Sequence, residues 1–243
     1  RLGRRLGTGS IGQVHEVLPR GGATLPADGK MVVKIAFHGE HWKMKEDFQV
    51  MEALGSNTGR DEASTLFRSI WLFISDSMKQ IEGEFNMRRE ANFTRTGGEL
   101  VNASHEKVRE HTASAFGLSL SLVPSLAVPE VYDSTSSAVL VMQRVPGVPL
   151  LTYLKSLQDS GQREATQVST FGAIFMWVGW MIFSVGFYHG DPHPGQFLFE
   201  PGMQRLWLLD WGLCQELSSE QRRDLHELYY LLHIMYDTNA LSP

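Results

Sequence analysis

The sequence predicts an α+β fold in two lobes, a small β-rich N-terminal lobe with inserted helices and a mainly helical C-terminal lobe. Three observations predict it. Short strands of alternating hydrophobicity flank a glycine-rich turn near the N-terminus. A stiff stretch with two prolines at residues 143–149 marks a boundary, and a long uncharged segment then leads into an acid-bearing loop. We therefore assign residues 1–145 to the N-terminal lobe and residues 146–243 to the C-terminal lobe.

Composition places the chain among ordinary globular proteins and excludes several classes. Of its 243 residues 42% are hydrophobic and 20% are charged, which is typical of a soluble domain with a sizeable core. A net charge of −5 offers no electrostatic basis for binding nucleic acid. The single cysteine, Cys214, excludes an internal disulfide and suits a reducing compartment. No signal or transit peptide is visible, and we expect the chain to be a segment of a longer protein.

A glycine pattern near the N-terminus predicts a phosphate-binding turn. It reads Gly-x-Gly-x-x-Gly-x-Val, and its candidate nucleotide contacts are Gly7, Gly9, Ser10, Gly12 and Val14. In a dinucleotide-binding fold this pattern opens a helix, whereas here residues 11–17 alternate like a returning strand. The pattern therefore favours a hairpin lid over nucleotide phosphates, as in protein kinases. On this stretch alone, a plain glycine-rich hairpin is an equally good interpretation.

Lys34 lies in the middle of a predicted strand at residues 30–37. It lies 20 positions after Val14 (34 − 14), which fits the phosphate-binding lysine on the third strand of a kinase. The alternative is a strand lysine that reaches solvent. Two further strands are predicted at residues 129–132 and 138–142, and Met142 in the second is another candidate nucleotide contact.

Residues 60–95 carry apolar side chains at steps of three or four, which predicts a helix that Gly83 would bend or break. On one continuous helix Glu84 and Glu90 would point about 120° apart, so only one of them could pair with Lys34. The ordinary alternative is that both are solvated. Residues 97–125 give only weak, partly helical signals.

The C-terminal lobe begins with a long uncharged segment. Residues 165–188 contain no Asp, Glu, Lys or Arg and are long enough to span a membrane. Because the segment runs directly into a polar loop, we favour a helix buried at the centre of the lobe over a membrane span. A last helix is predicted to begin near Leu217, with Ser218 and Gln221 as a capping box.

The polar loop carries the groups of a phosphoryl-transfer site. Asp191 lies in a turn with two prolines and two glycines, Gln196 follows five positions later, and Asp210 ends a strand 19 positions after Asp191 (210 − 191). One acid can orient a hydroxyl group, while the amide oxygen and the second acid can hold Mg²⁺ against a nucleotide. A zinc site at His189 and His193 fits their spacing but lacks further ligands nearby in the sequence.

Four motifs, in this order, resemble the UbiB-type atypical kinases, the coenzyme Q-associated branch of the kinase-like superfamily. They are Ser10-Ile11-Gly12-Gln13-Val14-His15, Glu84-x-x-x-Arg88-Arg89-Glu90-Ala91, His189-x-Asp191-Pro192-His193-Pro194-Gly195 and Leu209-Asp210-x-Gly212. The third is highly specific. The resemblance implies a two-lobed, protein kinase-like fold.

The resemblance also implies a role for each matching residue. Lys34 would bind the phosphates and pair with Glu90, Asp191 would be the catalytic acid, and Asp210 would hold Mg²⁺. Glu84 would belong to the family's Glu-x-Asp element, which here reads Glu84-Phe85-Asn86. The family's alanine-rich loop is replaced by Gly7-Thr8-Gly9, its metal-binding asparagine is Gln196, and its N-terminal Lys-x-Gly-Gln extension is not in this chain.

These residues lead us to expect an Mg²⁺-dependent enzyme that binds ATP or ADP and acts as an atypical kinase or ATPase with a weakened metal site. The resemblance implies a link to quinone or lipid metabolism in a mitochondrion or, alternatively, a plastid. Candidate partners are a lipid or quinone, a membrane surface and another protein, but no nucleic acid. Two other functions stay open, a pseudokinase that binds nucleotide or a partner without catalysis and a membrane-embedded protein.

Overall fold

The computed structural model describes residues 1–9, 11–18, 30–55, 75, 78, 82–83, 85–133 and 136–240. These residues form two compact units. The first comprises Arg1–Leu100, Val128–Pro146 and Leu209–Leu213, and the second comprises Val101–Ala127, Gly147–Leu208 and Cys214–Pro243. The lobes expected from the sequence are continuous stretches, whereas these units are not. The chain passes from the first unit to the second after Pro146, next to the expected boundary at residue 145. However, residues 101–127 belong to the second unit, whereas the sequence placed them in the N-terminal lobe, and residues 209–213 belong to the first unit, whereas the sequence placed them in the C-terminal lobe.

The strands in the described part of the chain are β1 (Leu2–Thr8), β2 (Gly12–Val17), β3 (Met31–Ala36), β4 (Ser125–Ala127), β5 (Val131–Asp133), β6 (Val139–Gln143), β7 (Val148–Pro149), β8 (Phe187–His189), β9 (Phe197–Glu200), β10 (Arg205–Leu208) and β11 (Cys214–Glu216). The α-helices are α1 (His38–Gly55), α2 (Met87–Phe116), α3 (Leu150–Ser156), α4 (Ser160–Trp180) and α5 (Ser219–Ala240). Short 3₁₀ turns lie at Leu120–Leu122, Pro194–Gln196 and Pro201–Met203.

The first unit is built on a five-stranded antiparallel sheet in the order β1-β2-β3-β6-β5. The strands predicted around Lys34 and Met142 are confirmed as β3 and β6, which pair directly. Alternating residues of the sheet pack against the first turns of α2. The core members are Ile11, Val32, Ala36, Met87, Ala91, Leu140 and Met142. Glu90 lies between Met87 and Ala91 on α2, so the packing of these two residues places Glu90 at the sheet.

The start of α2 differs from the prediction. The side-chain oxygen of Asn86 accepts hydrogen bonds from the N–H groups of Arg88 at 3.2 Å and Arg89 at 3.4 Å, so Asn86 caps a helix that begins at Met87. Phe85 precedes it in a turn. The expectation of one continuous helix through residues 84 to 90, and the angle argued from it, is therefore wrong. Glu84 and most of residues 56–81 lie outside the described residues. The helix also continues to Phe116, through the stretch that gave weak signals.

The second unit contains a four-stranded sheet in the order β4-β10-β9-β7 and a two-stranded antiparallel pair of β8 and β11. The capping box predicted for the last helix is confirmed. The N–H of Gln221 donates to the Ser218 hydroxyl at 3.1 Å, and the N–H of Ser218 donates to the Gln221 side chain at 2.9 Å. The helix that follows, α5, exposes Leu228 and Leu232.

Helix α4 contains most of the uncharged segment, and it continues as a π-helical turn over Met181–Val185. Gly186, at φ +82°, ends it and leads into β8. One face of the helix is buried, but Phe175 on another face is 73% exposed. The segment Ser160–Val185 is long and apolar enough to cross a membrane, and 39% of its most apolar window is buried. The expectation of a buried helix is therefore confirmed for one face only.

Candidate functional site

Lys34 is the centre of a three-residue cluster in the first unit, which we call the Lys34 cluster. Its Nζ atom lies 2.8 Å from Glu90 Oε1 and 3.0 Å from Asp210 Oδ2. The predicted ion pair of Lys34 with Glu90 is thus present. The second bond, from Lys34 to Asp210, was not predicted. The three residues are far apart in the sequence, so only the fold brings them together.

The position of Lys34 follows from its strand. Within β3 it faces Val14 of β2 on one side and Leu140 of β6 on the other, and only 7% of the residue is exposed. Glu90 is 1% exposed on α2. A buried ammonium group is stable only when it is paired, and here two carboxylates supply the pairing.

The charges of the cluster are mutually dependent. Burial alone would lower the pKa of Lys34, but the carboxylates of Glu90 and Asp210 outweigh it, and the pKa is raised above its ordinary value. Burial raises the pKa of Glu90 to about 7, with Lys34 opposing the rise and Asp210 adding to it. Two carboxylates therefore share one ammonium group that stays charged.

Asp210 is held so that part of its carboxylate remains open. Its Oδ1 atom accepts a hydrogen bond from the N–H of Gly212 at 3.0 Å, and its side chain is 32% exposed. Trp211, the next residue, is completely buried. A Cβ atom added to Gly97 of α2 would lie 2.2 Å from the Trp211 ring, so the absent side chain of this glycine makes room for the indole. Sequence reasoning missed Gly97, although two successive glycines at 97 and 98 could have signalled a close approach.

The three glycines of the glycine-rich turn differ in how closely other atoms approach them. A Cβ atom added to Gly12 would lie 2.5 Å from the backbone oxygen of Ile35, so this residue is required by the contact between β2 and β3. Among the described residues, nothing lies within 4 Å of such an atom on Gly7 or Gly9. The N–H of Gly9 donates to the Gly12 oxygen at 2.9 Å and closes the turn.

The other candidate nucleotide contacts lie in or beside the same sheet. Val14 is the cross-strand partner of Lys34, and Met142 is buried in the core opposite Val32. Ser10 lies outside the described residues. Gly12, Val14 and Met142 therefore all have packing roles, whatever else they contact.

Asp191 lies in the second unit, in a loop of residues 189–196 that we call the Asp191 loop. The N–H of Asp191 donates to Nδ1 of the buried His189 at 3.2 Å. Farther along, His193 Nδ1 accepts from the N–H of Gly195 at 3.0 Å, and His193 Nε2 lies 3.6 Å from Asp191 Oδ2. Gln196 ends the short turn and is half-buried, and its side chain makes no hydrogen bond to any residue that the structure describes.

Metal ligands are few in the described residues. They contain no group of three or more His, Cys, Asp or Glu side chains that could hold a metal ion. Mg²⁺ in nucleotide sites is usually held by one or two carboxylates together with phosphate oxygens. Asp210, with an oriented and partly exposed carboxylate, fits that requirement.

Comparisons with known proteins agree with these features. A model of the ABC1 atypical kinase-like domain matches residues 4–242. The uncharacterized protein slr0889 of Synechocystis is 25% identical over 92% of this chain and 50% of its own length. AarF domain-containing protein kinase 1 of mouse is 26% identical over 98% of this chain and 40% of its own. A probable protein kinase UbiB of Marinobacter nauticus is 23% identical over 89% of this chain and 35% of its own.

A solved structure shares the fold. Rv3197 of Mycobacterium tuberculosis, determined in complex with erythromycin, superimposes with a TM-score of 0.56 at 20% identity, covering 88% of this chain and 46% of that one. The chain thus spans half or less of the length of these relatives.

Proposed function

Because the chain belongs to the ABC1 atypical kinase-like family, we propose that it binds ATP or ADP with Mg²⁺ and transfers or hydrolyses the terminal phosphoryl group. The observation that carries this proposal is the Lys34 cluster. In protein kinases the strand lysine must pair with a helix glutamate, and an aspartate must be in place to hold Mg²⁺. Lys34, Glu90 and Asp210 are residues of these three types, and each lies on the corresponding kind of element.

The chain's own residues would divide the work as follows. The ammonium group of Lys34, kept charged by two carboxylates, would bind phosphate oxygens. Asp210 would hold the metal, and Gln196 would contribute its amide oxygen. When bound, Mg²⁺ supplies positive charge against the phosphate oxygens. Asp191 would accept or orient the proton of the attacking hydroxyl group or water.

A second candidate function is nucleotide binding without turnover. Gln196 favours it, because this residue replaces the metal-binding asparagine of the resembled family and its side chain forms no hydrogen bond with any described residue. Asn86, which replaces the aspartate of the Glu-x-Asp element, caps α2 as an aspartate would, so it gives this alternative little support.

The biological setting is also a proposal. The resemblance to UbiB-type kinases supports a role in quinone or lipid metabolism, in a mitochondrion or a plastid. Contact with a lipid surface or a protein partner is supported by the exposed apolar side chains of α4 and α5, among them Phe175 and Leu232.

Thermal unfolding with and without nucleotide tests the proposed binding. A ligand that binds only the folded state raises the melting temperature. Mg²⁺ with ATP should therefore stabilise the wild type, and Lys34→Ala should remove the shift because the phosphate contact is lost. Lys155→Ala, which removes an exposed lysine of α3, should shift like the wild type. Equal shifts in Lys34→Ala and the wild type would refute the assignment of Lys34.

Turnover separates the two candidate functions. Release of phosphate from ATP that requires Mg²⁺ and is lost in Asp191→Ala supports the kinase or ATPase. A thermal shift without any such release supports the pseudokinase.

A further inference from the structure

We propose that His193 is a positioning residue for Asp191, which it orients through its Nε2–H group. This inference rests on the proposed function, since it assigns a partner to the acid of that site. The two side chains approach through Nε2 and Oδ2 at 3.6 Å. Both are about half exposed, 52% for His193 and 46% for Asp191, so burial does not fix either one.

The ring of His193 is anchored on its other nitrogen. Nδ1 accepts the N–H of Gly195 at 3.0 Å, in the manner of a helix cap, and a nitrogen that accepts a hydrogen bond carries no proton. In the neutral ring the proton is then on Nε2, the atom that faces Asp191. The local backbone thus selects the tautomer that can donate to the carboxylate.

Gly195 makes this ring position possible. A Cβ atom at this residue would lie 2.6 Å from Cε1 and 2.9 Å from Nδ1 of His193, closer than real contacts allow. The glycine is therefore required by the imidazole ring that lies over it. Histidine and glycine two positions apart form one structural unit in the Asp191 loop.

At 3.6 Å the contact is too long for a hydrogen bond, and a small rotation of either exposed side chain would close it. Hydrogen bonds of this kind are often long in a free enzyme and shorten when substrate binds. A donor on Oδ2 would hold the carboxylate in one rotamer and leave Oδ1 free for the substrate hydroxyl. The backbone of Asp191 is already held by His189, so the two histidines would fix different parts of the same residue.

Three variants distinguish the effect of the His193 ring on Asp191 from the effect of its contact with Gly195. His193→Asn keeps a capping side chain for the Gly195 N–H but removes the donor to Asp191. Gly195→Ala keeps the imidazole but displaces it. His111→Asn changes an exposed histidine of α2 and is the control. Misplacing a reacting group by about 1 Å can cost about 100-fold in rate, so we expect kcat for Mg²⁺-dependent ATP hydrolysis to fall roughly 10- to 100-fold in the first two variants. KM for ATP and the melting temperature should stay close to those of the wild type.

Rescue and a spectroscopic measurement complete the test. Added imidazole should restore part of the rate of His193→Ala but none of that of Asp191→Asn. Unchanged kcat in both His193→Asn and Gly195→Ala would overturn the proposal. Nitrogen-15 NMR of the histidine rings, without nucleotide, should show the Nε2–H form of His193, and Asp191→Asn should shift its Nε2 resonance. If the wild type has no turnover, the proposed catalysis is refuted, but the Nε2 resonance still tests the contact between His193 and Asp191. A signal that Asp191→Asn does not shift would reject this contact.

Discussion

The Lys34 cluster and the Asp191 loop carry the residues proposed for phosphoryl transfer, and they are held in different ways. Lys34 and Glu90 are buried in the first unit, and Lys34 makes short ionic contacts with Glu90 and Asp210, which lie in distant parts of the chain. In the second unit, Asp191 and His193 are half exposed and held by hydrogen bonds within a few residues. The cluster is therefore determined by the fold as a whole and the loop by its own sequence.

This difference indicates where substitutions can accumulate. A change in the cluster leaves a buried charge without its partner, which costs stability as well as function. A change at Asp191 or His193 in the loop mainly alters local geometry, because these side chains are already in contact with water. Gln196, the departure from the resembled family in the loop, is consistent with this, since its side chain forms no hydrogen bond with any described residue. Experiments can therefore test whether the largest effects on stability belong to the cluster and to the residues packed next to it.

The largest expected effect concerns Trp211, the neighbour of Asp210. Gly97→Ala would place a Cβ atom 2.2 Å from its ring, and such overpacking costs about 1–3 kcal/mol in the free energy of unfolding. Because Trp211 would have to move, the thermal shift with Mg²⁺ and ATP should also weaken. Urea unfolding and the shift assay measure the two effects.

The adjacent glycine is a matched control. Among the described residues, a Cβ atom on Gly98 would meet only Val128 at 3.9 Å, an ordinary contact. Gly98→Ala should therefore stabilise the protein by up to about 1 kcal/mol, because alanine favours a helix over glycine. If the two variants have equal stability, the close fit of Trp211 to Gly97 is not real.

Glu90→Gln should change how stability depends on pH. The pKa of Glu90 in the folded protein is about 7 against an ordinary value of 4.5, so the folded state binds the proton more tightly than the unfolded chain. This favourable contribution is complete below pH 4.5 and is lost as the pH rises to about 7. The free energy of unfolding of the wild type should thus fall relative to the variant across this window, by at most about 1.4 kcal/mol per pH unit.

Urea unfolding between pH 5 and pH 8 measures this difference. Glu110→Gln, at an exposed position of the same helix, is the control and should show no such trend. A difference between Glu90→Gln and the wild type that is constant across the window would show that the environment of Glu90 does not disfavour its ionised form.

The sequence predicted the elements around Lys34 better than the contacts they make. Alternation identified β3 and β6, and the family motif paired Lys34 with Glu90. The bond from Lys34 to Asp210 could not be read from the chain, because their separation in sequence says nothing about their distance in space. The start of α2 was missed because apolar periodicity continues past the point where the Asn86 side chain caps the helix.

The Asp191 loop was easier to locate than to interpret. Its prolines and glycines predicted a sharp turn, and the family motif identified Asp191. The anchoring of His193 on Gly195 depends on ring orientation, which no sequence pattern encodes. The apolar side chains of α5 are exposed, and sequence could not have shown this, since periodicity predicts which side chains share a face but not whether anything covers that face.

The smallest expected effect is at Gln196, where the loop should tolerate change most readily. Glutamine has the amide of asparagine on one more methylene, which moves its oxygen roughly 1.5 Å farther from the backbone. Mg²⁺ requires near-ideal octahedral geometry at about 2.0–2.1 Å, so the wild type should hold its metal weakly through this residue. Gln196→Asn should raise Mg²⁺-dependent ATP hydrolysis several-fold while leaving the melting temperature almost unchanged, because no described residue bonds to this side chain. Gln167→Asn, on the exposed surface of α4, should leave the rate as it is, and Asp210→Asn should remove it. A wild type that already turns over well, with a rate that Gln196→Asn does not alter, would show that glutamine is an adequate ligand and would remove the main support for a pseudokinase.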